Sequence, residues 1–261
     1  MKYNLFSKSL QNFTTSLLYR NFRDSEGLFI IEGIKLSQEF LDSNYQAAYI
    51  IIEENIENKN LNKIKILAEE ISDTKKIPIY STTSNNFKKI SSHESPEGIL
   101  IVAEKPENKT LPNSDLIVLL DSINDPGNLG TIIRTADWFG FNSFILINNC
   151  ADLYNPKTIR ATMGGIFRGF FEESDDPVLF IRNRYSDYNI LGASLDATIN
   201  ISEVNKSDKI ILVLGSESHG ISDEIKPILT QSFKIPSSIK SKSESLNVAN
   251  AAAICFYEFS K

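Results

Sequence analysis

Three apolar runs after residue 115 lead into turns built from small and mostly uncharged polar residues. The turns are Asp-Pro-Gly-Asn-Leu-Gly at 125–130, Gly-Ser-Glu-Ser-His-Gly at 215–220, and Glu-Ser-Leu-Asn-Val-Ala at 244–249, which follows Ile235 and Pro236. Glycine gives a turn access to backbone conformations that other residues avoid. In open α/β sheets, the loops that follow the strands bind ligands. The pattern therefore predicts a sheet edge that carries a binding site.

The length and composition predict a globular protein of one large or two modest domains. The chain has 261 residues, of which 41% are apolar, and this suffices for a core in either arrangement. Apolar runs such as 116–120 and 210–214 are far shorter than the roughly 20 residues that a membrane span needs. The first residues lack the apolar core of a signal peptide. We therefore expect a cytoplasmic protein.

The charge distribution leaves nucleic-acid binding open. A formal net charge of −6 argues weakly against it, because phosphate contacts depend on Lys and Arg. The basic residues nevertheless gather in two segments, which contain Lys2, Lys8, Arg20 and Arg23, and then Lys157, Arg160 and Arg168. Each segment is either a solvated face or a nucleic-acid contact.

The residue types that most often bind metals are few and scattered. Cys150 and Cys255 are the only cysteines, and His93 and His219 are the only histidines. Their spacing matches no metal-binding motif. We expect reduced thiols and no metal.

The first 105 residues predict a small α/β domain. Helical periodicity occurs at 7–19, 34–41 and 61–72, and short apolar strands occur at 28–32, 48–52, 77–80 and 98–103. Residues 106–115 contain two prolines and few apolar residues, which is typical of a linker. We place the second domain at 116–261.

The second domain repeats the order strand, loop, helix. Strands are predicted at 116–120, 143–147, 190–194, 210–214 and 232–235, and helices at 128–139, 222–229 and 248–259. Alternation of this kind is typical of a mainly parallel sheet covered by helices.

The first turn and the helix that follows it contain two residues with more than one interpretation. Asn128 lies where a strand gives way to a helix, so it could simply cap the helix. Arg134 follows in an otherwise apolar stretch, where a guanidinium needs an anion or a set of acceptors nearby. A structural salt bridge is the alternative to a functional role.

The second and third turns exclude some familiar sites. The segment 215–220 has neither the spacing of a nucleophile elbow nor that of a dinucleotide fingerprint. It predicts a sharp bend at Gly215 and Gly220 that displays Glu217, although a plain glycine-rich turn would look the same. The Ser-x-x-Lys match at 237–240 lacks the partner motifs of an acyl-serine enzyme.

Ser245 and Asn247 come directly before an alanine-rich helix, whose small residues allow close packing against another backbone. Taken alone, either side chain would be interpreted as a helix cap.

Together these segments resemble the SpoU (TrmH-type) family of RNA ribose methyltransferases in order and spacing. The first half also resembles the RNA substrate-binding domain of that family, at Tyr19-Arg20, at 28–35 (Leu-Phe-Ile-Ile-Glu-Gly-Ile-Lys) and at 95–100 (Ser-Pro-Glu-Gly-Ile-Leu). The resemblance covers nearly the whole chain. It implies an α/β fold in which a small ribosomal-protein-like domain precedes a mainly parallel sheet with a deep trefoil knot of the SPOUT type, an exception to the rule that chains are unknotted.

The resemblance also assigns the site. It implies that S-adenosyl-L-methionine is bound by Gly215, Ile235 and Leu246. It implies a catalytic set of polar residues: Asn128, Arg134, Glu217, Ser245 and Asn247. Two positions depart from the family pattern, since Ala249 replaces a serine found in some relatives and Ser237 replaces the usual methionine. Members of the family usually dimerise through the knotted domain, so we expect a homodimer.

The activity implied by the resemblance is methyl transfer to a ribose 2′-hydroxyl of structured RNA, with ribosomal RNA preferred and transfer RNA second. The family proposal makes Arg134 a base, but a guanidinium is a reluctant base, so phosphate clamping fits equally well. Glu217 is expected to fix Arg134 or loop backbone. A catalytically silent RNA-binding protein and a small-molecule α/β enzyme stay open as alternatives.

Overall fold

The computed structural model describes residues 3–54, 61–106, 110–206 and 209–261. The chain forms two compact units, the first made of Met1–Glu107 with Asp152–Phe167 and the second of Asn108–Ala151 with Arg168–Lys261. The domain boundary predicted from the sequence assigned residues 152–167 to the second domain. The contacts of this segment place it in the first unit. Among the helices that the structure describes, none is long and apolar enough to cross a bilayer.

The first unit begins as a five-stranded sheet with helices. Its strands are β1 (Asn4–Leu5), β2 (Leu28–Glu32), β3 (Ala47–Glu53), β4 (Ile79–Thr82) and β5 (Ile99–Glu104), and its helices are α1 (Lys8–Ser16), α2 (Arg20–Glu26), α3 (Ile34–Leu41), α4 (Leu61–Lys75) and α5 (Ser84–Ile90). The strand order is β1-β4-β3-β5-β2, and β5 is antiparallel to β3 and β2. The sequence predicted β2 and α3 with these bounds, whereas α2 and α5 were not predicted.

The second unit is a seven-stranded parallel sheet with helices, interrupted by one helix that belongs to the first unit. In chain order the elements are β6 (Leu116–Asp121), α6 (Pro126–Trp138), β7 (Ser143–Ile147), then α7 (Pro156–Thr162) of the first unit, then β8 (Phe170–Ser174), α8 (Pro177–Arg184), β9 (Asn189–Ala193), β10 (Ile199–Asn200), β11 (Ile210–Leu214), β12 (Gln231–Lys234) and α9 (Val248–Phe259). The strand order is β10-β12-β9-β11-β6-β7-β8.

The central strands β6, β7 and β11 are buried along their whole length. Burial on both faces explains their continuous apolar runs, because parallel sheets are covered by helices on both sides. The parallel sheet predicted from the sequence is confirmed by the strand pairings.

The predicted helix at 222–229 is wrong. The structure has only a short 3-10 turn there, at Lys226–Ile228. Pro227 lies within that stretch, and because it has no backbone N–H it cannot make the hydrogen bond that a continuing α-helix requires at that position.

The segment at 152–167 completes the core of the first unit. Its helix α7 packs on β2. Before that helix, the Asp152 carboxylate accepts hydrogen bonds from the buried Arg23 guanidinium, at 3.0 Å from Nε and 2.5 Å from Nη2. The Tyr154 ring lies 4.8 Å from the Phe29 ring, between centroids. The first unit is therefore discontinuous along the chain.

Candidate active site

The carboxyl end of β6 leads into the first turn. Asp125 caps α6, since its side chain accepts a hydrogen bond from the backbone N–H of Asn128 at 2.9 Å. The cap interpretation of Asn128 is therefore wrong, because Asn128 is the third residue of the helix. Its side chain is left for other contacts.

The turn after β11 is closed by its own backbone. Ser216 and Gly220 exchange two backbone hydrogen bonds, of 3.0 and 2.9 Å. A Cβ atom on Gly215 would lie 2.2 Å from the carbonyl carbon of Gly220, and Gly220 itself has a φ of +67°. The bend predicted at these two glycines is confirmed, and it carries the exposed Glu217 at its tip.

The third turn ends in the cap of α9. The Asn247 side-chain oxygen accepts from the Ala249 N–H at 3.0 Å, which confirms the predicted cap. Its amide nitrogen faces the first and second turns. Ser245, which shared the cap interpretation, is exposed and makes no hydrogen bond to another described residue.

Glu217 joins the three turns through one carboxylate oxygen. Oε1 accepts from the Asn128 Nδ2 at 2.8 Å and from the Asn247 Nδ2 at 2.5 Å. The Asn247 Nδ2 also lies 3.1 Å from the Asn128 Oδ1, and the Val248 N–H lies 3.4 Å from the Glu217 Oε1. The carboxylate thus holds two amides and the first N–H of α9.

Arg134 lies on the exposed side of α6. The expectation of a guanidinium embedded in an apolar face is wrong, because Ile132, Ile133 and Ala136 turn toward the core while Arg134 turns to solvent. Within the part of the chain that the structure describes, Arg134 forms no ion pair and no hydrogen bond, to Glu217 or to any other residue. Its charge is available to an external anion.

The residues expected to bind the cofactor lie on loops. Gly215 and Ile235 are half-buried, and 46% of Leu246 is exposed. A cavity of about 140 Å³ adjoins the Glu217 contacts and is lined by Ser122, Ile123, Asn124, Asp125, Asn128, Ser216, Glu217, Ser218 and Val248.

Two other arginines have contacts of their own, and among the described residues neither the cysteines nor the acidic residues form a metal site. Arg168 forms a two-point contact with Asp137, at 2.9 and 2.8 Å, and Arg160 lies 2.9 Å from the His93 ring nitrogen. Cys150 and Cys255 are free thiols. Within the described ranges, no three His, Cys, Asp or Glu side chains meet as a metal site.

Two family models match the chain. The SpoU rRNA Methylase family matches residues 115–257, and the MRM3-like substrate binding domain matches residues 12–101. Among characterised proteins, the 23S rRNA (guanosine(2553)-2′-O)-methyltransferase RlmP of Bacillus subtilis is 30% identical over 236 residues, which cover 90% of this chain and 89% of the relative.

Solved structures share the fold. A TrmH-family structure from Porphyromonas gingivalis superposes with a TM-score of 0.85 at 32% identity, over 98% of both chains. The SpoU methyltransferase AviRb from Streptomyces viridochromogenes, solved in complex with the cofactor AdoMet, superposes with a TM-score of 0.86 over 97% of both chains. Its identity of 22% supports the fold alone.

Proposed function

Because the chain belongs to the SpoU rRNA methylase family, we propose that it transfers a methyl group from S-adenosylmethionine to a ribose 2′-hydroxyl of ribosomal RNA. The name of the Bacillus subtilis relative specifies this transfer to a 23S rRNA guanosine, which supports the choice of RNA. The substrate-binding domain matched in the first half supports an RNA ligand as well.

The observation that carries the proposal is the meeting of Asn128, Asn247 and Glu217 at one carboxylate oxygen. Three segments far apart in sequence converge there, and the first of them continues into α6, which carries the unpaired Arg134. Amides and carboxylates are the partners that suit a hydroxyl, which both donates and accepts hydrogen bonds. The 2′-hydroxyl is also the group that distinguishes RNA from DNA.

The loops around this point fit the methyl donor. Outside the strand ladders, the backbone groups of Leu246 make no hydrogen bond to another described residue, so they are free to hold a polar ligand. The half-exposed Leu246 side chain supplies an apolar surface beside them. When bound, S-adenosylmethionine supplies an electrophilic methyl group, whose transfer leaves a neutral thioether. We include the trefoil knot in this proposal, with the segment 235–247 as its threaded part.

Arg134 acts in this proposal as a phosphate clamp. A guanidinium keeps its proton in proteins, and its planar donors match phosphate oxygens. Because Arg134 has no partner among the described residues, its guanidinium can bind an RNA phosphate without breaking an existing ion pair. Holding the phosphate fixes the adjacent ribose, and alignment of reactants can lower a barrier by roughly 7 to 11 kcal/mol. The hydroxyl proton passes to solvent.

A homodimer completes the proposal. Trp138 at the end of α6 is 84% exposed, and Tyr257 of α9 is 57% exposed. The Tyr257 ring lies 6.4 Å from the ring of Phe139, between centroids, and Phe139 is the residue that follows Trp138. Soluble monomers rarely leave such large apolar side chains in water together. A second copy of the chain is the partner that we propose for this face.

The direct test is methyl transfer to RNA from cells that lack the gene. Purified protein is incubated with labelled S-adenosylmethionine and that RNA, and 2′-O-methylated positions are mapped with and without protein. We expect one new site in the large ribosomal RNA. Labelling of transfer RNA alone would overturn the choice of RNA, and no labelling of any RNA would overturn the activity.

A further inference from the structure

The end of β6 carries a buried carboxylate that the proposed mechanism does not use. Asp121 is fully buried, and the described residues give it no cationic partner. A buried carboxylate without a counter-charge is costly unless several donors satisfy it. A buried carboxylate at the end of β6, next to the candidate site, therefore needs a functional or structural explanation.

Three donors surround this carboxylate. Oδ1 accepts from the Asn148 Nδ2 at 2.9 Å and from the Ser122 hydroxyl at 3.1 Å. Oδ2 accepts from the backbone N–H of Ser222 at 2.7 Å. The Asn148 Nδ2 also lies 3.2 Å from the Ser222 hydroxyl. Loops after β6, β7 and β11 thus meet at one side chain.

The backbone at two of these donors is strained. Ser122 and Asn148 have φ values of +59° and +55°, a region that residues other than glycine visit rarely. Such conformations persist where the surroundings fix them, and they concentrate at functional sites. The hydrogen bonds of Asp121 supply that fixing interaction here.

The position of Ser222 explains what the carboxylate controls. Strands β11 and β6 pair up to Leu214 and Leu120, and beyond that pair the chain leaves the sheet as the turn that carries Glu217. The turn ends near Ser222, whose backbone N–H donates a hydrogen bond to the Asp121 Oδ2. Asp121 also lies just before the segment that carries Asn128.

We propose that Asp121 is a positioning residue that fixes the Glu217 turn against the start of α6, so that the Glu217 carboxylate stays within hydrogen-bonding reach of Asn128 and Asn247. This inference rests on the proposed methyl transfer, and it adds a residue that touches neither RNA nor the methyl donor. Its action passes through the backbone of Ser222.

The test exchanges the two side chains that pair across the loops. In Asp121→Asn, the new NH2 group replaces one of the two carboxylate oxygens. It then faces either the Asn148 Nδ2 or the Ser222 N–H, both of which are hydrogen-bond donors, so one hydrogen bond is lost. In the double variant Asp121→Asn with Asn148→Asp, the amide at position 121 donates to the new carboxylate and its oxygen still accepts from Ser222. The residue composition of the pair is retained and only the direction of the hydrogen bond changes.

Each variant is compared by kcat for RNA methylation, by KM for RNA and by melting temperature. We expect Asp121→Asn to lose about tenfold or more in kcat, equivalent to about 1.4 kcal/mol of transition-state stabilisation, with an unchanged KM for RNA. The double variant should recover to within about threefold of the wild type, as expected for coupled neighbours in a double-mutant cycle. Asp152→Asn, at a buried carboxylate of the first unit, should lower the melting temperature without changing kcat.

Full kcat in folded Asp121→Asn would overturn the inference, as would a double variant that stays inactive or does not fold. If Asp121→Asn does not fold, the double variant alone decides. Hydrogen exchange at Gly220 to Ser222 provides a reading that needs no catalysis, since Asp121→Asn should speed exchange there and the double variant should restore protection. A wild type that methylates no RNA, with this exchange pattern present, would reject the proposed function and leave the positioning contact intact.

Discussion

The side-chain amide of Asn128 donates a hydrogen bond of 2.8 Å to Glu217, although 89 residues separate them along the chain. This bond places the beginning of α6 against the turn after β11. Substitution of Asn128 by Asp would bring two carboxylates face to face, whereas Asn128→Ala would remove the donor to Glu217 and the acceptor of the Asn247 amide without adding a charge.

We therefore expect Asn128→Asp to reduce single-turnover methylation more than Asn128→Ala does, by about tenfold further, since like charges in contact cost about 1.4 kcal/mol or more at such short range. Rapid-quench assays with labelled S-adenosylmethionine measure the rate. The matched control is Asn205→Asp, which makes the same change at an exposed position of the second unit. Equal rates for both Asn128 variants would contradict a role for this contact.

Arg134 tests the phosphate clamp. Arg134→Lys keeps the charge and removes the planar fork of donors, so we expect kcat/KM for RNA to fall by about tenfold to a hundredfold. The control is Arg182→Lys, on the exposed side of α8, which should leave turnover unchanged. Near-normal turnover in Arg134→Lys would exclude any need for the guanidinium.

The proposed dimer depends on Trp138. A charged side chain cannot be buried there without a partner, so Trp138→Glu should weaken dimerisation by about 2 kcal/mol or more, in the range of an interface hot spot. Sedimentation equilibrium over a concentration series reports the association. Leu179→Glu introduces the same charge at a residue that is 55% exposed on α8 and should not change it. A wild type that sediments as a monomer at all concentrations would reject this face as a self-interface.

The predicted elements that the structure confirms are those whose signal is local. The strands at 28–32 and 210–214 are apolar runs bounded by glycine, turn or charged residues, and both have the predicted bounds. A continuous apolar run needs no information from distant residues, because burial on both faces is all that it requires. The helix at 248–259 also has the predicted bounds, and its signal is an apolar, alanine-rich run.

The elements that sequence reasoning missed depend on distant contacts. Helix α7 has the sequence Pro-Lys-Thr-Ile-Arg-Ala-Thr, which shows no clear apolar periodicity, and it is stabilised by packing on β2. Asp125 was missed as a cap because Asn128 is an equally good capping residue type. The sequence analysis named Arg134 as one expected partner of Glu217, whereas the structure pairs Glu217 with Asn128 and Asn247. Spacing along the chain cannot show which side of a helix faces a neighbouring loop.

The buried pair of Arg23 and Asp152 predicts a stability effect in the first unit. The side chains of Arg23 and Asp152 are 2% and 10% exposed. Asp152→Ala leaves the guanidinium buried without its anion, which costs about 3–5 kcal/mol. Hydrogen exchange of the β2 amides measures the loss locally. Asp175→Ala, at an exposed loop position, serves as the control. Unchanged exchange in Asp152→Ala would show that the pair adds nothing to this unit.

The two thiols should resist alkylation in the folded protein. Burial raises the pKa of the Cys255 thiol from 9.0 to about 12. Burial is also the main cause that raises the pKa of the Cys150 thiol from 9.0 to about 11. The reactive form is the thiolate, so at pH 8 both groups stay protonated and unreactive until unfolding exposes them. Iodoacetamide labelling followed by peptide mapping gives the rates with and without urea. Rapid modification of the native Cys255 would contradict its burial.

Because residues 152–167 build part of the first unit, the polypeptide passes between the units at three places, near 107, 151 and 167. A single protease cut near residue 107 therefore leaves the fragment before the cut bound only by noncovalent contacts, such as those of Arg23 with Asp152 and of β2 with α7. Exchange of the amino-terminal half for that of another protein would also separate Arg23 from Asp152 and leave α7 without β2. Evolution of a new RNA specificity in this chain is then expected to proceed by substitutions within the first unit, because the unit cannot be replaced as a contiguous cassette.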